Sequence, residues 1–218
     1  MYDLLSSIQK ILLEQKAQKL RDLKYRNLTF YTKPDPTPFD YFVIDPPMSN
    51  DSKQTRQELT DIVSLVNRRT DQDITDLLLI DKDPLFLYLE FFQNKDLVFP
   101  VEYFSSLYTV LYPIIKQLKL FFNRPRPNQI AEFYNIDINI INTQTHSTPS
   151  YPSGHVAYAK LAEMIASAAF PEYTQQFQSF TEKVALARMQ QGVHFNSDNN
   201  AAIELVSKIF TQLKESLP

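Results

Sequence analysis

Apolar residues recur at helical spacing through most of this chain, and polar runs between them mark where helices begin. After "SNDS", Leu59, Ile62, Val63 and Val66 share one face, and the preceding Ser, Asn and Asp are natural N-caps. Shorter helices are expected over 71–80 and 83–94. Leu107, Val110, Leu111, Ile114, Ile115 and Leu118 define a longer one, with a kink expected at Pro113. Three further helices are expected over 154–169, 173–190 and 198–216, the last with Val206, Ile209, Phe210 and Leu213 on one face. Residues 1–32 read as an N-terminal helix and 33–50 as a connector, in which "KPDPTPFDYFVIDPP" carries five prolines. Residues 127–152 show no helical period and are expected to be irregular, with room for a short strand in "FYNIDINIIN". The pattern predicts one all-α domain whose working part spans 51–218.

Composition narrows the class. A chain of 218 residues, 44% hydrophobic, can bury a substantial core. A net charge of −3 and a pI near 5.6 give no signature of nucleic-acid binding. The absence of cysteine excludes disulfides, thiolate metal sites and cysteine nucleophiles. No run approaches the roughly 18 apolar residues of a membrane span, because Glu102, Pro113, Lys116 and Lys119 interrupt the greasiest stretch, 97–122. The first residues carry Asp3 and Lys10 and show no small-residue cleavage site, so no secretory signal is expected. A soluble protein, cytoplasmic by default, follows as the expectation.

Three stretches carry candidate chemistry. In "KLFFNRPRP", Lys119 and Arg126 lie seven residues apart, on one helix face, and can address a single anion; a solvated basic helix end would look the same. In "YPSGH", Ser153 is placed to cap a helix whose free amides near Gly154 and His155 form an anion site. Gly154 has no side chain to block a phosphate oxygen; a capped helix beside a packed His155 is the plainer alternative. Downstream, Gly192 suits a helix C′ position with Arg188 in the last turn. Asp198 can cap the final helix and accept from His194, fixing the tautomer and leaving the other ring nitrogen a directed lone pair. Read alone, that last group is also a capping Asp and a satisfied His.

In combination and order, these residues resemble the signature of the type 2 phosphatidic acid phosphatase superfamily. That group includes soluble bacterial acid phosphatases, membrane lipid phosphatases and vanadium-dependent haloperoxidases. The matched residues run from 119 to 198, and "YPSGH" and "GVHFNSD" look most like the soluble acid phosphatases. One position departs: Ala187 precedes Arg188 where a serine is usual. The resemblance implies a helical bundle of the acid phosphatase and haloperoxidase type. It implies that Lys119, Arg126 and Arg188, with the Ser153 hydroxyl and the Gly154 amide, hold phosphate oxygens. It further implies that His194, aligned by Asp198, is the nucleophile of a phosphohistidine mechanism, and that His155 is the general acid and base.

No metal or cofactor is expected, since the three cations neutralise the phosphate charge. The leading expectation is a metal-independent phosphatase acting on a small phosphorylated substrate, with lipid phosphates included. Two alternatives stand beside it: a haloperoxidase holding vanadate at His194, and a non-catalytic anion-binding protein. In the phosphatase, vanadate would act as an inhibitor. His146 matches no motif position and reads as an ordinary loop histidine. Tyr151, Phe122 and Phe195 read as core more readily than as pocket lining. An N-terminal helix separable from the motif-bearing part leaves a homo-oligomer open.

Overall fold

The computed structural model describes residues 44–216, and the N-terminal helix and most of the connector expected before Ile44 lie outside the described residues. The described part is all-α. Helix α1 (Lys53–Arg68) starts where Ser52 accepts the Thr55 amide. Helix α2 (Asp71–Lys82) starts in a reciprocal box between Thr70 and Asp73. They are followed by α3 (Phe86–Asn94) and α4 (Val101–Phe122). Beyond these lie α5 (Pro127–Ala131), α6 (Gly154–Ala169), α7 (Thr174–Gln190) and α8 (Asn196–Ser216). Helix α4 runs as one helix through Pro113, whose side is exposed. It ends where Asn123 takes a left-handed conformation at φ 47°.

Helix α6 is the axis of the bundle, packing mainly against α7 and α8. Its buried residues include Ala157, Ala159, Ala162 and Ala166. Such small side chains let two neighbouring helices approach closely, and Phe177, Val184, Leu205 and Val206 fill the layer around them. Tyr88 of α3 ties this layer together. Its hydroxyl donates toward the Ala159 and Phe177 carbonyls, at 3.1 and 3.0 Å, and pairs with the Thr181 hydroxyl at 2.9 Å. A second, smaller core gathers Leu59, Ile62 and Val66 of α1 with Ile130, Ala131, Ile138 and Phe195. That cluster docks α1 beside the start of α8.

The segment from 127 to 152 differs from the expectation in two respects. Pro127, at a first helical position where its missing N–H costs nothing, starts the short α5. Among the described residues there is no strand in "FYNIDINIIN". Ile136, Ile138 and Ile140 do pack into the small core, but extended backbone needs a partner to become a sheet. The segment has only isolated bonds, such as Ile141 N–H to the Gln191 carbonyl at 3.2 Å.

Candidate active site

The end of α4, the start of α6 and the junction between α7 and α8 meet at one end of the bundle. Gly192 makes the last junction: as C′ of α7 it has φ +82°, and a Cβ there would lie 2.9 Å from Ile140 Cγ2. Only glycine fits that turn without strain. The turn delivers Val193 and His194, both buried, directly before α8. His194 Nδ1 lies 3.1 Å from Asp198 Oδ2, and the same oxygen accepts the Phe195 amide at 2.9 Å. Asp198 therefore caps α8 from inside its first turn. Its ring partner is fixed, so the Nδ1 proton faces the carboxylate. On the other side, Arg126 Nη1 lies 3.3 Å from His194 Nε2. A guanidinium can only donate, so Nε2 presents its lone pair.

Burial, then the charge of Arg126, holds His194 well below an ordinary histidine, keeping it neutral. Burial, then Arg126, likewise pushes the Lys119 ammonium down. Lys119 Nζ donates to the Pro149 and Ser150 carbonyls at 2.7 and 3.2 Å. Arg126 also donates to the Thr148 and Val193 carbonyls, each at 2.8 Å. Both cations thus donate to backbone oxygens around the motif.

A second half of the site forms around His155. Its Nε2 lies 3.0 Å from the Asp81 carbonyl oxygen, so that nitrogen carries the proton and Nδ1 is left to gain or lose one. Burial, then Arg188, pushes the imidazole down to about 3. Arg188 pairs with the Asp81 carboxylate and donates to Thr145 Oγ1 at 3.3 Å. Burial alone would raise the Asp81 carboxyl, but Thr145 and Arg188 outweigh it and hold it at about 2.

A cavity of about 550 Å³ opens here, lined by Lys119, Gly154 and His155 among others. Arg126, Arg188, Ser153, His194 and Asp198 do not line it; all five are buried. Gly154 starts α6, and a Cβ on it would sit 3.9 Å from Lys119 Cε, on the wall both share. Ser153 stands at the N-cap position of α6, but its hydroxyl makes no capping bond, a correction to the expected role. Among the described residues the buried Ser153 Oγ and Arg188 Nε have no partner. Two orphaned donors beside a cluster of cations suit a tetrahedral oxyanion. His146 bonds to Thr143 and Asn142, though it lies close enough to Arg126 and Arg188 to be lowered by both, after burial. Tyr151 and Phe195 are core residues, and Phe122 packs against the core.

Several residues that sequence reasoning did not single out complete the site. Arg124, fully buried over the Phe195 ring at 4.1 Å, donates to Asp198 Oδ1 at 2.6 Å. The Ser150 hydroxyl donates to Asp198 Oδ2. Glu58 of α1 lies 3.4 Å from Arg124 Nη2 and accepts the Ser197 amide at 2.6 Å. Asp81 at the end of α2 was the one with a local signal, because a carboxylate in a last turn opposes the helix dipole and needs a partner elsewhere. Among the described residues no group of three or more His, Asp or Glu side chains is arranged to hold a metal ion.

Residues 101–205 match the family model described as PAP2 superfamily. The matched span contains all eight expected site residues, and Glu58 and Asp81 precede it. No curated protein matches the chain.

Proposed function

Since the chain belongs to the PAP2 superfamily, a group of phosphatase-type enzymes, we propose that it hydrolyses phosphomonoesters through a phosphohistidine on His194. The observation that carries this reading is the His194 ring itself. Asp198 accepts a hydrogen bond from its Nδ1–H while Arg126, which cannot accept, faces Nε2. A neutral imidazole with one directed lone pair next to a cation is a nucleophile set beside an oxyanion seat. In the reaction Arg126 turns its N–H groups from the ring to a phosphate oxygen, while Lys119, Arg188, Ser153 and the Gly154 amide hold the others. Nε2 attacks phosphorus, the P–O ester bond breaks opposite it, and His155 Nδ1 delivers a proton to the departing oxygen. His155 then takes a proton from water as that water displaces His194 from phosphorus.

Fixed positive charge around the equatorial oxygens stabilises the transition state without reorganisation. Lys119, Arg126 and Arg188 supply that charge, which supports a metal-independent mechanism. No described helix is long and apolar enough to cross a membrane, which fits a small diffusing substrate. The test is a denaturing quench at alkaline pH during turnover of a radiolabelled ester. A covalent phosphoenzyme is expected with the wild type and none with His194→Ala. Turnover by His194→Ala, or activity abolished by a chelator, would overturn the mechanism.

A further inference from the structure

The cavity reaches well past the phosphate seat. Its volume of about 550 Å³ is in the range of pockets that enclose a whole small molecule, roughly 300–1,000 Å³. Beyond His155 and Lys119 its wall includes Tyr108, Tyr112, Ile115 and Lys116 of α4 and Tyr158 of α6, and Lys82, Asp83 and Pro84 line it as well. The tyrosines are ordered by one another. Tyr108 meets Tyr158 edge-to-face at 4.5 Å, and Tyr112 lies 5.5 Å from Tyr108. Phe104, buried beneath, stacks edge-on to Tyr158 at 4.8 Å. Lys116 Nζ sits 5.2 Å from the Tyr112 ring centre.

None of the three phenol hydroxyls hydrogen-bonds another described group, and burial pushes Tyr108 up to about 12 and raises Tyr158. The wall therefore presents phenol rings whose hydroxyls take no partner from the described residues. An alkyl chain would cover those hydroxyls without satisfying them, which is costly. A planar ring gains stacking or edge contact with the phenols, and its polar atoms can accept from them.

Resting on the phosphatase reading above, we infer that Tyr108, Tyr112 and Tyr158 form a leaving-group subsite selecting phosphomonoesters whose alcohol carries a planar aromatic ring. The specificity belongs to α4 and α6, and the chemistry to the residues behind them.

The test compares benzyl phosphate with cyclohexylmethyl phosphate. The two alcohols are close in size and in acidity, so a difference reports the ring and not leaving-group reactivity. Wild-type kcat/KM is expected to favour benzyl phosphate by roughly five- to tenfold, the scale of an aromatic contact. Tyr112→Phe should keep that ratio and Tyr112→Leu should bring it close to one. Tyr112 is 44% exposed, so both variants should fold. Equal kcat/KM for the two esters, or faster turnover of a short-chain phosphatidate than of benzyl phosphate, would overturn the subsite and leave the phosphatase standing. Absence of turnover with every ester would overturn the phosphatase reading, and the subsite with it.

Discussion

His155 and His194 both sit where their surroundings oppose a positive ring, His155 at about 3 and His194 well below its ordinary value. The free protein at pH 5 therefore holds two neutral imidazoles, yet the leaving oxygen needs a proton. A phosphomonoester loses its second proton near pH 6, so below that it arrives as a monoanion with the missing proton on board. Transfer to His155 Nδ1 becomes favourable once the phosphate lies among the cations, since the bound anion offsets Arg188 and Lys119. An acidic optimum is expected on this reading, and it belongs to the substrate. kcat/KM should fall as pH rises through the second pKa of the ester. Two esters whose second pKa values differ by about one unit should show that limb displaced by the same amount. A limb fixed at one pH for both would place the titrating proton on the protein.

Helix α1 has no motif residue, but it closes a chain of charge behind His194, the proposed nucleophile: Glu58 to Arg124, Arg124 to Asp198, Asp198 to His194. Arg124 is shared between two carboxylates, and Glu58 also fixes the Ser197 amide at the start of α8. Glu58→Gln removes one of the two negative charges, so Arg124 should draw harder on Asp198 and weaken its hold on the His194 ring. The expected result is a kcat lowered about tenfold with KM little changed, alongside a stability loss of about 2 kcal/mol. Leu59→Ala, on the same helix and fully buried, should cost about 2–5 kcal/mol but leave kcat unaltered below its melting range. Equal kcat for wild type and Glu58→Gln would reduce Glu58 to a packing role. The helices themselves were legible from periodicity, with starts and ends mostly within a few residues. The link from α1 to the site was not, because Glu58 meets Ser197 across 139 positions and nothing local marks it.

Across the whole molecule, the buried site makes stability depend on acidity. Asp81 is held at about 2 and Asp198 is lowered as well, while both imidazoles are held below 6.5. In each case the unfolded chain binds more protons within the window, so stability rises with pH through it. Melting temperature should fall as pH drops below about 6.5, when the unfolded imidazoles take up protons. It should fall more steeply below about 4, when unfolded carboxyls do so too. Each neutral imidazole contributes up to about 1.4 kcal/mol per pH unit, so His155→Gln should flatten the upper part of the curve. An unchanged slope in that variant would contradict a neutral His155. The same burial explains what could be read in advance. Lys119, Arg126, Ser153, Gly154, His155, Arg188, His194 and Asp198 stand beside proline and glycine landmarks at fixed local spacings. Arg124, Ser150 and Thr145 acquire their places only when distant segments close on them, and Asp81, which its last-turn position does mark, finds its partner Arg188 only across 107 positions.

The pairing of Arg124 with Glu58 and of Arg188 with Asp81 bears on where this enzyme can be cut. The span that resembles the superfamily begins at residue 101, after both carboxylates. A chain trimmed to that boundary would keep every residue proposed to hold phosphate. Among the described residues, it would leave Arg188 without its carboxylate partner Asp81 and Arg124 with Asp198 as its one remaining carboxylate. An uncompensated buried charge is among the costliest defects a fold can carry. The residues that pair around the site therefore extend to the N-terminal side of the matched span, and residue 101 is the wrong place to set a domain boundary here.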